Sequence, residues 1–143
     1  MKKVTLVFLF ISLFSLTTFS QEVAQIERAS LDYIEGFYEG DTMKIRRSLH
    51  PDLSKYGYSV DKNTGKYKGH AMTHERAMDF SLDVLKDSRW AAPEDAVKKI
   101  EILDVQNQIA SVKLTVYWGI DYLLLAKYDG KWMITKVLWQ ASD

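Results

Sequence analysis

The spacing of apolar and polar positions changes from a helical to a strand period along this chain, and the change divides it into two parts. From Glu22 to Glu39 the apolar positions Val23, Ile26, Ala29 or Ser30, Tyr33/Ile34 and Phe37/Tyr38 recur every three or four residues. Gln25, Glu27, Arg28, Asp32 and Glu35 occupy the other face, the pattern of an amphipathic helix. Gly40 supplies a stop, and Asp41 offers an N-cap oxygen to a second, short helix from Thr42 to Leu49 that buries Ile45 and Leu49. That helix ends by His50, because Pro51 disfavours helical dihedrals in the residue before it. Thr73 caps a third helix from His74 to about Asp87, with apolar stripes at Met78, Ser81/Leu82, Leu85 and at Ala77, Phe80, Val84. Between the second and third helices, Lys55 to His70 reads as a short, polar, Tyr-rich β-excursion, more rim or lid than core.

After Ala92-Pro93-Glu94-Asp95 the period becomes two. Val97 to Val105 pairs through Asn107-Gln108 with Ile109 to Trp118, where Ala110, Val112, Leu114 and Val116 alternate with Ser111, Lys113, Thr115 and Tyr117. Val116 to Gln140 then forms a hairpin about Asp129-Gly130, a pair suited to a turn that needs φ > 0 at both central residues. A two-residue turn sets Tyr128 against Lys131, Lys127 against Trp132, Leu125 against Ile134, Leu123 against Lys136 and Asp121 against Leu138. Asp121, Leu123, Leu125, Trp132, Ile134 and Leu138 then share one face; Tyr122, Leu124, Ala126, Met133, Thr135, Val137 and Trp139 share the other. Both faces are apolar and need covering. A Gly at 119 beside Trp118 suggests a bulge.

Composition narrows the setting. Lys2 and Lys3, the apolar run Val4 to Leu16, and Thr17 to Ser20 have the form of a secretory signal peptide cleaved near Ser20-Gln21, the run being short for a membrane span; the alternative is an uncleaved membrane anchor. The mature chain from 21 to 143 is expected to be one exported domain, periplasmic or secreted, with no integral membrane span. It carries 17 basic and 19 acidic side chains with interspersed signs, which offers nothing to nucleic acid or to an anionic surface. Without Cys there is no disulfide framework. All eight Tyr and all four Trp remain after the first 20 residues, and rings that bury a face while exposing a polar atom suit a core opening into a ligand cavity.

The candidate chemistry gathers around Asp121. A carboxylate among Trp118, Leu123 and Leu138 is desolvated, which suits it to proton transfer or to holding a ligand donor; the structural alternative is a backbone cap, or a pair with Lys136 or Arg46. His50, between a helix C-terminus and Pro51, is the second candidate, either bonding a last-turn carbonyl or facing a cavity. Trp118 and Trp139 serve as core or ligand wall, and Tyr58, Tyr67 and His70 are rim residues. His74, in the first turn of its helix, is expected at the surface. His70 and His74 alone have zinc-like spacing, but a helix start falls between them, so no metal site is expected.

His50-Pro51-Asp52 after the second helix, followed by Asp-Tyr-Leu-x-Leu-x-Lys-x-Asp-Gly-Lys-Trp-x-Ile from Asp121 to Ile134, resembles the putative lumazine-binding family of the nuclear-transport-factor-2-like (SnoaL-like) superfamily. The resemblance implies an α+β fold, a cone-shaped curved antiparallel sheet packed on three N-terminal helices, with a pocket at the open end and dimerisation through the sheet. A small-molecule ligand is expected in that pocket, and no cofactor. Ligand-binding candidates are then Trp118, Tyr122, Tyr58, Phe37, His70 and Trp139. Three functions stand side by side: an exported small-molecule-binding protein, a small lyase or isomerase using Asp121 and His50 as catalytic pair, and an interaction module with a vestigial pocket.

Overall fold

The computed structural model describes residues 2–142, with side chains from Phe19 onward. The apolar core expected of an export signal, Val4 to Leu16, lies outside the residues whose side chains are described. Helix α1 (Lys2–Glu39) continues through Ser20-Gln21. Among the described residues no helix is long and apolar enough to cross a membrane.

Helix α1 buries Ile26, Ala29, Tyr33, Ile34, Phe37 and Tyr38, the stripe its periodicity predicts. Helix α2 (Thr42–Ser48) follows at once; Asp41 accepts from the backbone N–H of Met43 and Lys44 at 2.9 and 3.1 Å, which satisfies two of the otherwise orphaned donors. Helix α3 (His74–Lys86) is capped by Thr73, whose hydroxyl accepts from Arg76 N at 3.3 Å. A single 3-10 turn, Ser88–Trp90, leads away from it.

The strands are β1 (Leu49–Val60), β2 (Tyr67–Met72), β3 (Lys98–Val105), β4 (Ile109–Val116), β5 (Gly119–Tyr128) and β6 (Lys131–Ala141). They form one curved sheet in the order β2-β1-β6-β5-β4-β3, with the helices packed on it. The α+β layout agrees with the sequence reading, with one correction: the sheet is mixed, because β1 pairs parallel to β6. The β1–β2 hairpin and the β3–β6 meander are built separately, and the meander's last strand meets β1 running the same way.

Three local corrections decide where the site lies. His50 belongs to β1 rather than to a helix terminus, since α2 stops at Ser48 and Leu49 is already extended. Tyr117 and Trp118 form a two-residue turn between β4 and β5, with Val116 paired to Gly119, where a bulged continuous strand was expected. Gly119 has φ +147°, and a Cβ there would lie 2.0 Å from Gln140 O, so the turn requires glycine.

The register of the β5–β6 hairpin follows expectation from Tyr128–Lys131 to Leu125–Ile134 and then slips by one. Thr135 is the extra residue: Leu124 faces Lys136, Leu123 faces Val137 and Asp121 faces Trp139. The Thr135 hydroxyl donates to Leu124 O at 3.1 Å across this bulge. A one-residue slip exchanges the faces of everything beyond it. Leu138, expected inside, is therefore exposed, whereas Val137 and Trp139 turn inward.

Candidate functional site

Alternation along β1 places Leu53, Lys55 and Gly57 on the inner face, between the outward Tyr56 and Tyr58. Lys55 is 7% exposed. Its amine donates to the hydroxyl of Tyr33 and to Asp121 Oδ2, the latter at 3.2 Å. Tyr33 in turn donates its hydroxyl proton to the same carboxylate oxygen. The other oxygen, Oδ1, accepts from the indole N–H of Trp118 at 2.7 Å. Asp121 and Tyr33 are both 0% exposed, so ammonium, phenol and carboxylate form a closed network away from water. Such a group is tolerable only with every polar atom partnered, and here the carboxylate has three donors.

Four rings enclose the amine. Lys55 Nζ lies 5.0, 5.3, 5.5 and 5.4 Å from the centroids of Tyr33, Phe37, Trp118 and Trp139. Ring faces carry negative potential, so the box adds to the attraction from Asp121. The rings brace one another edge to face: Tyr33–Phe37 at 5.0 Å, Phe37–Trp118 at 5.9 Å and Tyr38–Trp118 at 5.5 Å. Tyr38 also fixes the turn that carries Trp118. Its hydroxyl accepts from Tyr117 N at 2.6 Å and donates to Val97 O at 2.5 Å.

Burial pushes the Lys55 amine below its ordinary pKa, against the opposing pull of the Asp121 charge and hydrogen bond. Burial, with the Asp121 charge and hydrogen bond, pushes the Tyr33 phenol well above its usual value. Tyr33 thus stays a neutral donor, and Lys55 holds its proton less firmly than a surface lysine.

Beside this network lies a cavity of about 220 Å³ lined by Phe37, Lys55, Met72, Phe80, Trp118 and Trp139, its surface almost wholly apolar. Lys55 is the one charged side chain in that lining. Trp139 is placed by its neighbours on both sides: it pairs with Asp121 on β5 and with Gly57 on β1. His70 stacks behind it at 6.0 Å and 28°, and is itself bonded to Ser59 Oγ at 2.8 Å.

The residues singled out in the sequence therefore divide. Asp121, Trp118, Phe37 and Trp139 converge, and His70 supports one wall. His50 does not join them: its ring stacks on Tyr128 at 4.2 Å, and its Nδ1 accepts from Asp52 N at 3.1 Å. Tyr128 lies seven residues from Asp121 along β5, about 23 Å of strand, so His50 and Asp121 cannot share one reacting group. Tyr122 and Tyr58 point to the outer face, 48% and 42% exposed, and do not line the cavity. The partner of Asp121 is Lys55, not Lys136 or Arg46.

Sequence reasoning passed over Lys55, Tyr33, Met72 and Phe80 as site residues. One signal was present for Lys55: it is in phase with Leu53 and Gly57, and a buried acid on another strand calls for a buried base. Among the described residues no group of three His, Cys, Asp or Glu is placed to hold a metal ion.

A second buried carboxylate, Asp32, lies elsewhere on α1. Arg47 bonds it through Nε and Nη2 at 2.6 and 2.7 Å, and Arg28 joins from one turn earlier. This fork ties α1 to α2 and has no connection to the cavity.

The family model described as putative lumazine-binding matches residues 21–140. The chain belongs to that family. Solved structures agree on the fold. A nuclear-transport-factor-2-like protein of unknown function from Silicibacter pomeroyi superposes with TM-score 0.68 at 19% identity, over 86% of this chain and 98% of that one. Another from Methylobacillus flagellatus gives 0.64 at 20% identity, over 86% and 94%. A protein of unknown function with a cystatin-like fold from Nostoc punctiforme gives 0.55 at 10% identity, over 83% and 90%. No curated protein matches the chain. At these identities the likeness to the solved structures is one of fold.

Proposed function

We propose that this protein is a small-molecule-binding protein whose aromatic cavity takes a flat, electrically neutral, largely apolar ligand through one hydrogen bond from Lys55. The carrying observation is the commitment of the Lys55 amine: of its three N–H groups, two go to Tyr33 and Asp121, and one remains for a ligand acceptor. Charge selects the ligand class. Lys55 and Asp121 already neutralise each other, so an anion entering an apolar cavity would be buried without a counter-charge. A carbonyl oxygen on a flat ring system meets the remaining donor without that cost, and the family description is of the same kind.

The binding reading is better supported than a lyase or isomerase acting through Asp121 and His50. Both oxygens of Asp121 are occupied by Trp118, Tyr33 and Lys55, and His50 packs at the other end of β5. The same proposal takes the protein as exported, on the basic and apolar character of residues 1–20, and as a homodimer. The outer sheet face supports the dimer: Tyr122, Leu124 and Leu138 are exposed there, 48%, 48% and 56%.

Thermal unfolding with lumazine and other flat carbonyl compounds tests the reading. Specific binding raises Tm with ligand concentration by mass action, and Trp139→Ala should remove the rise. If no such compound shifts Tm, the proposal fails. A solution mass equal to one chain would remove the dimer.

A further inference from the structure

Resting on the binding reading above, we infer that Lys55 is a carbonyl-capturing amine that forms a reversible imine with a flat aromatic aldehyde or ketone held in the cavity. The geometry brings together what that reaction needs. The lysine that carries this amine lines an apolar cavity large enough for a bicyclic ring. A carboxylate and a phenol contact the amine directly, one able to receive a proton and the other to pass it on. Rings around the amine hold a planar group against it.

The steps balance without any further reagent. The Lys55 ammonium gives a proton to Asp121 Oδ2, and the freed nitrogen lone pair forms a C–N bond to the carbonyl carbon. The carbonyl oxygen takes up two protons, one returned from Asp121 and one lost by the Lys55 nitrogen, and the C–O bond breaks to release one water. What remains is a protonated C=N bond on Lys55 beside an ionised Asp121. The site begins and ends with one positive and one negative charge, so the aromatic box and the Trp118 hydrogen bond serve the adduct as they serve the free amine. Burial lowers the hold of Lys55 on its proton and favours the first step.

The test uses the folded protein, 2-naphthaldehyde and sodium cyanoborohydride, which reduces an imine to a stable secondary amine. Intact mass and peptide mapping then locate the label. Lys55 should be labelled about tenfold or more faster than the exposed lysines, as expected of a carbonyl held next to its nucleophile. 2-Naphthalenemethanol, which has the same shape but no carbonyl, should suppress labelling at Lys55 and leave the surface lysines unchanged. K55R should lose the site-specific label, and the alcohol competition gives the same information on the unaltered chain if that variant does not fold. Label spread over lysines by exposure, while the alcohol still raises Tm, overturns the imine and leaves the binding reading standing. Spread label with no Tm response to the alcohol overturns both.

Discussion

The indole of Trp139 lies flat on Gly57: a Cβ at residue 57 would come within 2.3 Å of the indole Cγ, Cδ1 and Nε1. The two are parallel-sheet partners, and the absence of a side chain at 57 is what lets the indole lie over the strand and form a cavity wall. Gly57→Ala must move the indole, because backbone and ring cannot both stay. The variant should lose about 1–3 kcal/mol of stability, the range for overpacking a core, and its tryptophan emission should shift. Urea unfolding followed by fluorescence measures both.

Lys55 and Asp121 should be strongly coupled. Asp121→Asn leaves the Lys55 cation buried with only rings and a phenol around it, and Lys55→Met leaves the carboxylate. Either change should cost about 3–5 kcal/mol, the range for stranding one member of a buried pair. The double variant should cost clearly less than the two singles combined. A double-mutant cycle in urea gives the coupling directly, and additive singles would contradict the pairing.

Acid should unfold the protein partly through α1. Burial opposes ionisation of Asp32, but hydrogen bonds from Arg47 and Arg28 outweigh it and hold the pKa below the ordinary 3.8. Burial likewise opposes ionisation of Glu35, and Lys44, Lys98 and Arg28 hold its pKa below 4.5. For carboxylates with depressed folded values, the stabilisation is present above the unfolded pKa and is lost as pH falls through the folded one. Stability should therefore decline below about pH 4. Asp32→Asn should flatten that decline, as measured by urea midpoints across pH.

Alkali should act through Tyr33. Its folded pKa lies above the ordinary 10.0, so the stabilisation is full below pH 10 and falls as pH rises towards the folded value. Lys55 has the opposite sign: with a folded pKa below 10.5, it makes stability rise with pH up to that value. Above pH 10.5 only the Tyr33 effect is left of the two. Tyr33→Phe should be less stable than the parent near neutrality and should lose less stability on going above pH 10.5.

The fold was readable where period and punctuation agree. Gly40-Asp41 marked the break between α1 and α2, the alternation of Ala110, Val112, Leu114 and Val116 marked the inner face of β4, and Asp129-Gly130 marked the last turn. Half the site was readable because an acid in an apolar run stands out. Lys55 did not, since a lysine between Tyr56 and Ser54 in a polar stretch has the appearance of a surface residue. What buries it is the parallel pairing with β6, a contact between strands some eighty residues apart that no local pattern encodes. The slip at Thr135 was hidden for a related reason. Thr fits a regular strand as well as a bulge, so nothing in the run from Trp132 to Trp139 announces that the faces exchange.

The pairing of β1 with β6 also sets an order of assembly. Lys55 is made early in synthesis, whereas Val137 and Trp139, which lie beside it and beside Gly57, come from the last strand of the sheet. Contacts of such sequence separation form slowly, after the closure entropy of the intervening chain has been met. Until β6 docks, the lysine has neither its final wall nor the strand edge that hides it from water. A chain on the ribosome that has not yet made Trp139 lacks that wall of the cavity, so a complete cavity marks a chain whose last strand has docked.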